Sequence, residues 1–525
     1  MHPYLPLSFA DDLERNARWC PDHPAYVQGE RRISHRQLLE RAKQLGSALY
    51  QAGMRNQDRV GILAMNSIEY GEVIAAAQWA GFILATVNFR LAPPEMAWII
   101  NDGAPKVLLF EAQYLPVIEP MRGELTSVET YVCIDGEAEW AMSYAEFIAT
   151  GDSEGPPCRA REDDIFCLIY TSGTTGRPKG CIWGHREMRQ LVQVDAWLVD
   201  LQQPDRILIV MPMFHIGGLV LSLSQHVRGG TAYIYRQFEP GEIIRGIQRE
   251  KLTVLLLAPT MVQMLLDDAA IENADLSTVR TILYSAAPMP SPVLRRAIEV
   301  FDGCGFVNLF GQTEICMFCL SPLQHKPNGS EAERRQLTSV GQPYPNLEAK
   351  ILDDDGNECP PGEPGEIVAR SGAMFRGYWN NSAATVETLR NGWVHTGDMG
   401  RIDADGFLYL VDRKKDMIIS GGENIYSREV EETLLQHPAV SEAAVIGVPD
   451  AKWGENVCAV LVLKNGAEAG EDDIVHHCQS LIASYKKPKQ VYFVAELPKL
   501  VTGKINKMAL RHQYAHALGQ SPREA

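Results

Sequence analysis

Across roughly the first 400 residues, short runs of Val, Ile and Leu alternate with stretches in which apolar positions return every three to four residues. Residues 165–169, 207–211 and 254–257 have the continuous apolar character of strands buried on both faces. Residues 36–51 and 292–301 carry the helical period. Strands alternating with amphipathic helices predict an α/β fold on largely parallel sheets. From about Gly341 the texture changes to Gly, Pro and Asp punctuation between short β runs, as in Asp353-Asp354-Asp355-Gly356 and Pro360-Pro361-Gly362. That change predicts a small β-rich, barrel-like subdomain over about 341–411. After Asp412, helical patterns at 427–436 and 473–482 alternate with strand patterns at 443–448, 457–463 and 491–495. The expected architecture is a large N-terminal domain of stacked α/β subdomains (1–411), a junction at 412–416, and a smaller α+β domain (417–525).

The length of 525 residues agrees with several folding units, at roughly 150 residues per domain. A net charge of −17 argues against a nucleic-acid partner, which requires a basic face. It leaves room for an anionic small substrate held by a local positive cluster. The longest apolar stretch, residues 73–87, is interrupted by Gln78 and falls short of the roughly 20 residues that span a bilayer. Eleven scattered Cys read as reduced thiols. Asp11 and Asp12 sit where a leader would be basic and apolar, and the last five residues match no targeting address, so a cytoplasmic location is expected.

The chemistry concentrates in Thr171-Ser172-Gly173-Thr174-Thr175-Gly176-Arg177-Pro178-Lys179-Gly180, directly after a strand pattern. Gly, Ser and Thr offer backbone N–H groups and hydroxyls to a phosphate, and Lys179 adds a point charge. The loop is not a Walker motif, because Lys179 is followed by Gly180. Gly303-Cys304-Gly305 is not a dinucleotide fingerprint, because Asn308 stands where the third Gly belongs. Cys316-x-x-Cys319 with Cys304 lacks a fourth metal ligand and is read as pocket wall or core. No Gly-x-Ser-x-Gly elbow supports a serine hydrolase.

The loop, together with Met211-Pro212-Met213-Phe214-His215, Phe310-Gly311-Gln312-Thr313-Glu314, His395-Thr396-Gly397-Asp398, Asp412-Arg413-Lys414-Lys415-Asp416, Gly421-Gly422-Glu423-Asn424 and Gly503-Lys504, resembles the adenylate-forming superfamily. That superfamily includes acyl-CoA synthetases, luciferases and peptide-synthetase adenylation domains. The resemblance implies an ATP-, Mg²⁺- and coenzyme A-dependent acid–thiol ligase that forms an acyl-adenylate and releases AMP. It implies that Thr171, Ser172, Gly173, Thr174, Thr175 and Lys179 hold phosphates, with Glu314 and Thr171 at the Mg²⁺. Thr313 would bond the α-phosphate, and Phe310 would stack on adenine where the family more often has Tyr. Ala287, Asn308, Gly311, Asp398 and Arg413 would complete the nucleotide site. Lys504 would bridge the carboxylate and the departing phosphates, in a 484–511 segment with seven Lys/Arg against the single Glu496. Lys415 would be the pivot of a rotating, mobile C-terminal domain that delivers the Gly422 loop.

For the second step, Trp453 resembles a CoA adenine platform, and Tyr485, Lys487, Lys489 and Arg90 resemble CoA phosphate contacts. Core packing for Trp453, a solvated face for the lysines and an ion pair for Arg90 are the structural alternatives. His215 stands where amino-acid-activating relatives carry Asp, which suits an acid without an α-amine. Gly217, Gly218, Leu309 and Met317 would wall an apolar pocket for a fatty or aryl acid. Ser285-Ala286-Ala287-Pro288 replaces the more usual two glycines. The expected partners are a small carboxylic acid and coenzyme A, with no nucleic acid and no integral membrane segment; a homodimer stays open. The competing functions are transfer to a carrier protein or another acceptor, and a non-catalytic nucleotide-binding relative.

Overall fold

The computed structural model describes residues 7–515 apart from 172–176, 288, 414–415, 421–422, 451 and 500–504, and it leaves out the side chains of Arg413, Asn424 and Ala515. The chain divides into two compact units, Met1–Ala349 with Ala369–Val394, and Lys350–Val368 with His395–Ala525.

The larger unit is mixed α/β. One of its sheets has nine strands in the order Gln342–Pro343, Cys316–Leu320, Gly305–Gly311, Thr281–Tyr284, Val254–Leu257, Arg206–Ile209, Thr231–Ile234, Pro24–Gln28 and Arg31–Ser34. The interior pairings are parallel and the edge pairings antiparallel. The second sheet orders Met142–Ser143, Thr130–Cys133, Val107–Phe110, Arg59–Leu63, Ile83–Thr86, Ile165–Thr171 and Lys179–Gly184. It is parallel until Lys179–Gly184 turns back on Ile165–Thr171 as a hairpin.

The apolar stretch at 73–87 is part of a helix and then a strand, Ile68–Ala80 and Ile83–Thr86, every residue of which is buried or nearly so. Ser67 caps the helix by accepting from the Tyr70 N–H at 3.1 Å. Gly81 ends it at φ +76°, where a Cβ would meet Asn56 Nδ2 at 2.5 Å, so only Gly fits the turn. Among the described residues no helix is long and apolar enough to cross a membrane.

In the smaller unit, Ile418–Ser420, Glu423–Ile425, Val440–Asp450, Gly454–Leu463 and Gln490–Phe493 form a five-stranded sheet. Ser427–Leu434 and Glu471–Leu481 pack on it through Val430, Leu434, Ile474 and Cys478. The result is an α+β layer, because each helix has one apolar stripe and the sheet presents one apolar face to it.

The helix His35–Gln51 and the helix Ile216–Arg228 carry an enclosed imidazole cluster in the larger unit. The rings of His35 and His226 lie 6.3 Å apart, and Tyr26 stands edge-on to His226 at 5.6 Å. Burial pushes the His35 imidazole down to about 4 and His226 down to about 3. Both rings are neutral in the fold, whereas the unfolded chain protonates near the usual value of about 6.5. Stability is therefore present above about pH 6.5 and is lost as pH falls toward 4. We expect each histidine to cost roughly 2 kcal/mol of unfolding free energy at about pH 5. Urea titrations at pH 7 and 5 measure this, and His226→Gln should flatten the pH slope. An unchanged slope would remove the histidines as its cause.

Candidate active site

Thr171 and Lys179 are paired opposite each other in the hairpin. The strands on either side of the expected phosphate loop are therefore hydrogen-bonded up to Thr171 and Lys179, and Thr171 Oγ1 reaches the Lys179 carbonyl at 3.4 Å. A second tight turn joins Gly305–Gly311 to Cys316–Leu320, closed by Gln312 N–H to Ile315 O at 2.8 Å. Thr313 and Glu314 sit at its tip. Gly311 is required there, since a Cβ would approach Cys316 Cα and Ile315 O at 2.7 Å.

Two devices tie the turn to the hairpin. Trp183, fully buried, donates its indole N–H to the Thr313 carbonyl at 2.9 Å. A connector through residues 374–379 then hydrogen-bonds to both. The Phe375 N–H donates to Glu314 O at 2.8 Å, the Ile182 N–H to Gly377 O at 2.9 Å, and the Trp379 N–H to Gly180 O at 2.8 Å. Asp102 anchors the far end, accepting from Tyr170 Oη at 2.7 Å, while its carbonyl accepts from Trp379 Nε1 at 3.0 Å. Tyr378 meets residues of both turn and hairpin: it donates its phenolic proton to Glu314 Oε1 at 2.5 Å, and Lys179 Nζ lies 5.2 Å from its ring centre. Burial, with the Glu314 charge nearby, pushes the buried Cys181 thiol well above its ordinary range.

On the expected acid side, the strand Arg206–Ile209 ends two residues earlier than its apolar run. Buried Asn66 takes over there, donating to Met211 O at 3.0 Å and accepting from Met213 N–H at 2.8 Å. This clamp aims the chain into the helix Ile216–Arg228, with His215 as its N-cap. His215 Nδ1 accepts weakly from Gly217 N–H at 3.4 Å. Thr86 Oγ1 fixes the Phe214 carbonyl at 3.2 Å, and Phe89 stands edge-on to Phe214 at 5.3 Å. Gly218 is packed against backbone, so that a Cβ would meet Pro212 O at 2.2 Å, whereas at Gly217 the nearest atom would be 3.9 Å away.

Leu309, Phe310 and Asn308 are half-buried along one strand, and Gly311 is exposed. Met317, expected in the pocket wall, is fully enclosed. Ser285 Oγ donates to the Leu309 carbonyl at 2.7 Å. Ala286 holds φ +75°, the left-handed region that explains the usual glycine, and Ala287 is exposed. Arg90 is exposed and lies over the Phe89 ring at 5.5 Å. Cys316 and Cys319 neighbour Asp195, whose carboxyl is pushed up to about 7 by burial.

In the smaller unit, Asp398 and Arg413 are directly opposed on the antiparallel strands Trp393–Ile402 and Leu408–Arg413. Asp398 is 8% exposed, and its N–H donates to Thr396 Oγ1 at 3.1 Å. The acids of the junction are tethered: Ser427 donates to Asp412, and Arg511 pairs with Asp416 at 2.9 Å. Trp453 is 42% exposed, which excludes the core alternative. The Lys452 and Lys489 ammoniums lie 4.7 and 4.8 Å from its ring centre. The neighbouring Tyr485 is exposed with Lys486 over its ring at 5.7 Å, and Lys487 is half-buried.

Ser172, Gly173, Thr174, Thr175, Lys415, Gly422 and Lys504 lie outside the described residues, as does the Arg413 side chain. No motif marks Tyr378, Cys181 or Trp183. The aromatic-rich Arg376-Gly377-Tyr378-Trp379 was the available signal, but only the connector's pairing shows what it touches.

Residues 13–379 match the model of the AMP-binding enzyme family, and residues 429–504 match its C-terminal domain. The chain belongs to that adenylate-forming family. This AMP-binding enzyme is 33% identical to the fatty acid–[acyl-carrier-protein] ligase ScoC of Streptomyces coeruleorubidus, over 98% of this chain and 97% of that protein. It is 34% identical to a feruloyl-CoA synthase of Amycolatopsis sp, over 95% of this chain and 98% of that protein. Among solved structures it is similar to a Mycobacterium tuberculosis fatty acyl CoA synthetase, at TM-score 0.78 and 32% identity, covering 97% of this chain and 99% of that one.

The two neighbouring glycines give an expected contrast in this enzyme. Gly218→Ala drives a Cβ into backbone and should cost roughly 3 kcal/mol. Gly217→Ala should fold with an unchanged thermal midpoint and shift selectivity among acids. Equal thermal midpoints for the two variants would contradict the packing described.

Proposed function

We propose that this enzyme is an AMP-forming acid–CoA ligase acting on a fatty or aryl carboxylic acid without an α-amine. The observation that carries the reading is the Lys179–Tyr378–Glu314 arrangement, at the base of a hairpin loop rich in hydroxyls. It sets one ammonium and one carboxylate beside a loop suited to polyphosphate. The exposed Trp453, with two ammoniums near its face, supports CoA as the acceptor, since its adenine could stack there and its phosphates would find positive charge.

Glu314 fits Mg²⁺. It is a hard oxygen donor, half-buried, and held by the Tyr378 hydroxyl with carboxylate lone pairs to spare. When bound, Mg²⁺ supplies neutralisation of crowded phosphate charge. The chain's residues do the rest. Lys179 and the Thr171 hydroxyl hold the nucleotide's phosphates, and Thr313 orients the α-phosphate. A carboxylate oxygen of the acid attacks the α-phosphorus, the bond to the bridging oxygen breaks, and pyrophosphate leaves. Lys504 spans the attacking and departing oxygens as the charge develops. The CoA sulfur then attacks the acyl carbon, the bond to AMP breaks, and the thiol proton passes to solvent. Asp398 and Arg413, opposed on adjacent strands, serve the ribose and the phosphate.

An acyl-carrier-protein acceptor is the second reading, motivated by the name of the ScoC relative. AMP release from ATP/Mg²⁺ over fatty acids, benzoates and cinnamates, with and without CoA, decides between them. We expect acid-specific, CoA-dependent AMP release, and Trp453→Ala should raise the KM for CoA about tenfold, the scale of one lost base stack. Acyl-adenylate formation by that variant should be unchanged. AMP release indifferent to CoA would sink the CoA reading.

A further inference from the structure

We propose that Tyr378 is a positioning residue for the nucleotide site, holding the Glu314 carboxylate and the Lys179 ammonium in place before the nucleotide arrives. The proposal rests on the reading that Glu314 and Lys179 face the phosphates.

The two groups reach Tyr378 from opposite sides of its chemistry. Its hydroxyl donates to Glu314 Oε1 at 2.5 Å, and its ring lies 5.2 Å from Lys179 Nζ. Hydrogen bonds to an ionised acceptor are short and about twice as strong as neutral ones, so this bond fixes the rotamer of the carboxylate. The ring's negative face attracts the ammonium without neutralising it, leaving its full charge for phosphate.

Tyr378 is itself held on every side. It is 7% exposed, and its ring packs edge-on against Phe375 at 5.0 Å. Its N–H donates to Thr385 Oγ1 at 2.9 Å. The preceding Gly377 adopts φ +130°, where a Cβ would strike Thr385 Cγ2 at 2.7 Å. The connector that carries it is paired to Gly180 and Ile182 on one side and to Glu314 on the other. The ring therefore sits at a position set jointly by the hairpin and the turn.

Two variants separate the roles. Tyr378→Phe keeps the ring under Lys179 and removes the donor to Glu314; Tyr378→Leu removes both. Binding of MnATP is read by electron paramagnetic resonance titration of the full-length protein, alongside steady-state kinetics and thermal midpoints. For Tyr378→Phe we expect the dissociation constant for MnATP and the Mg²⁺ concentration for half-activation to rise about tenfold. The KM for the acid and the thermal midpoint should stay as in the unsubstituted protein. Tyr378→Leu should weaken MnATP further. Glu314→Gln tests the underlying reading and should lose MnATP affinity by at least the same factor. MnATP binding in Tyr378→Phe equal to that of the unsubstituted protein, with Glu314→Gln impaired, overturns the proposal alone. Unimpaired Glu314→Gln overturns the reading beneath it. A Tyr378→Phe defect that moves the acid KM and thermal midpoint together with MnATP marks a merely structural role and also overturns it.

Discussion

The backbone pairing of the 374–379 connector is the constraint on which the placement of Lys179, Glu314 and Tyr378 depends. The hairpin from Ile165 to Gly184 belongs to one sheet and the turn at Gln312–Ile315 to another. Nothing in either sheet's own hydrogen bonding relates the two. The connector supplies its N–H and C=O groups to both, and Trp183 adds an indole bond to the Thr313 carbonyl. Buried backbone groups must find partners, so each bond in this ladder would be costly to leave unmade. That cost keeps the strand end that carries Lys179 and the turn that carries Glu314 in register with the connector.

The smaller unit is organised around a different demand. It exposes a ring with ammoniums over it. Trp453 stays 42% exposed because Asp450 accepts the N–H groups of Lys452 and Trp453 and so shapes a tight loop at the end of the strand pair Val440–Asp450 and Gly454–Leu463. Lys489 is drawn over that ring while its Nζ donates to Asn456 at 2.7 Å. A chain with net charge −17 thus keeps a local positive patch, because position and not composition decides the field a ligand meets.

Several elements were legible in the sequence. The 254–257 run is the strand Val254–Leu257, and the 36–51 period is the helix His35–Gln51. The runs at 457–463 and 473–482 became Gly454–Leu463 and Glu471–Leu481. Burial of a regular element leaves a periodic trace, so such segments announce themselves. Ends are less legible. The 207–211 run closes at Ile209 because Asn66, far away in sequence, captures the backbone that follows. Met317 reads as a pocket residue from its motif but is fully enclosed, since accessibility depends on what packs above a strand.

The sequence by itself determined the family, the α/β layering, and the residues that carry charge and hydroxyls to the phosphate loop and its partner turn. These follow from local periodicity and from short motifs whose spacing survives in one dimension. Only the tertiary structure decided that Tyr378 meets both Lys179 and Glu314, and that Trp453 is exposed rather than core. Those relations join segments up to two hundred residues apart. No pattern along the chain encodes them, because they arise where separate sheets, each satisfied within itself, are brought into hydrogen-bonding distance by a third segment.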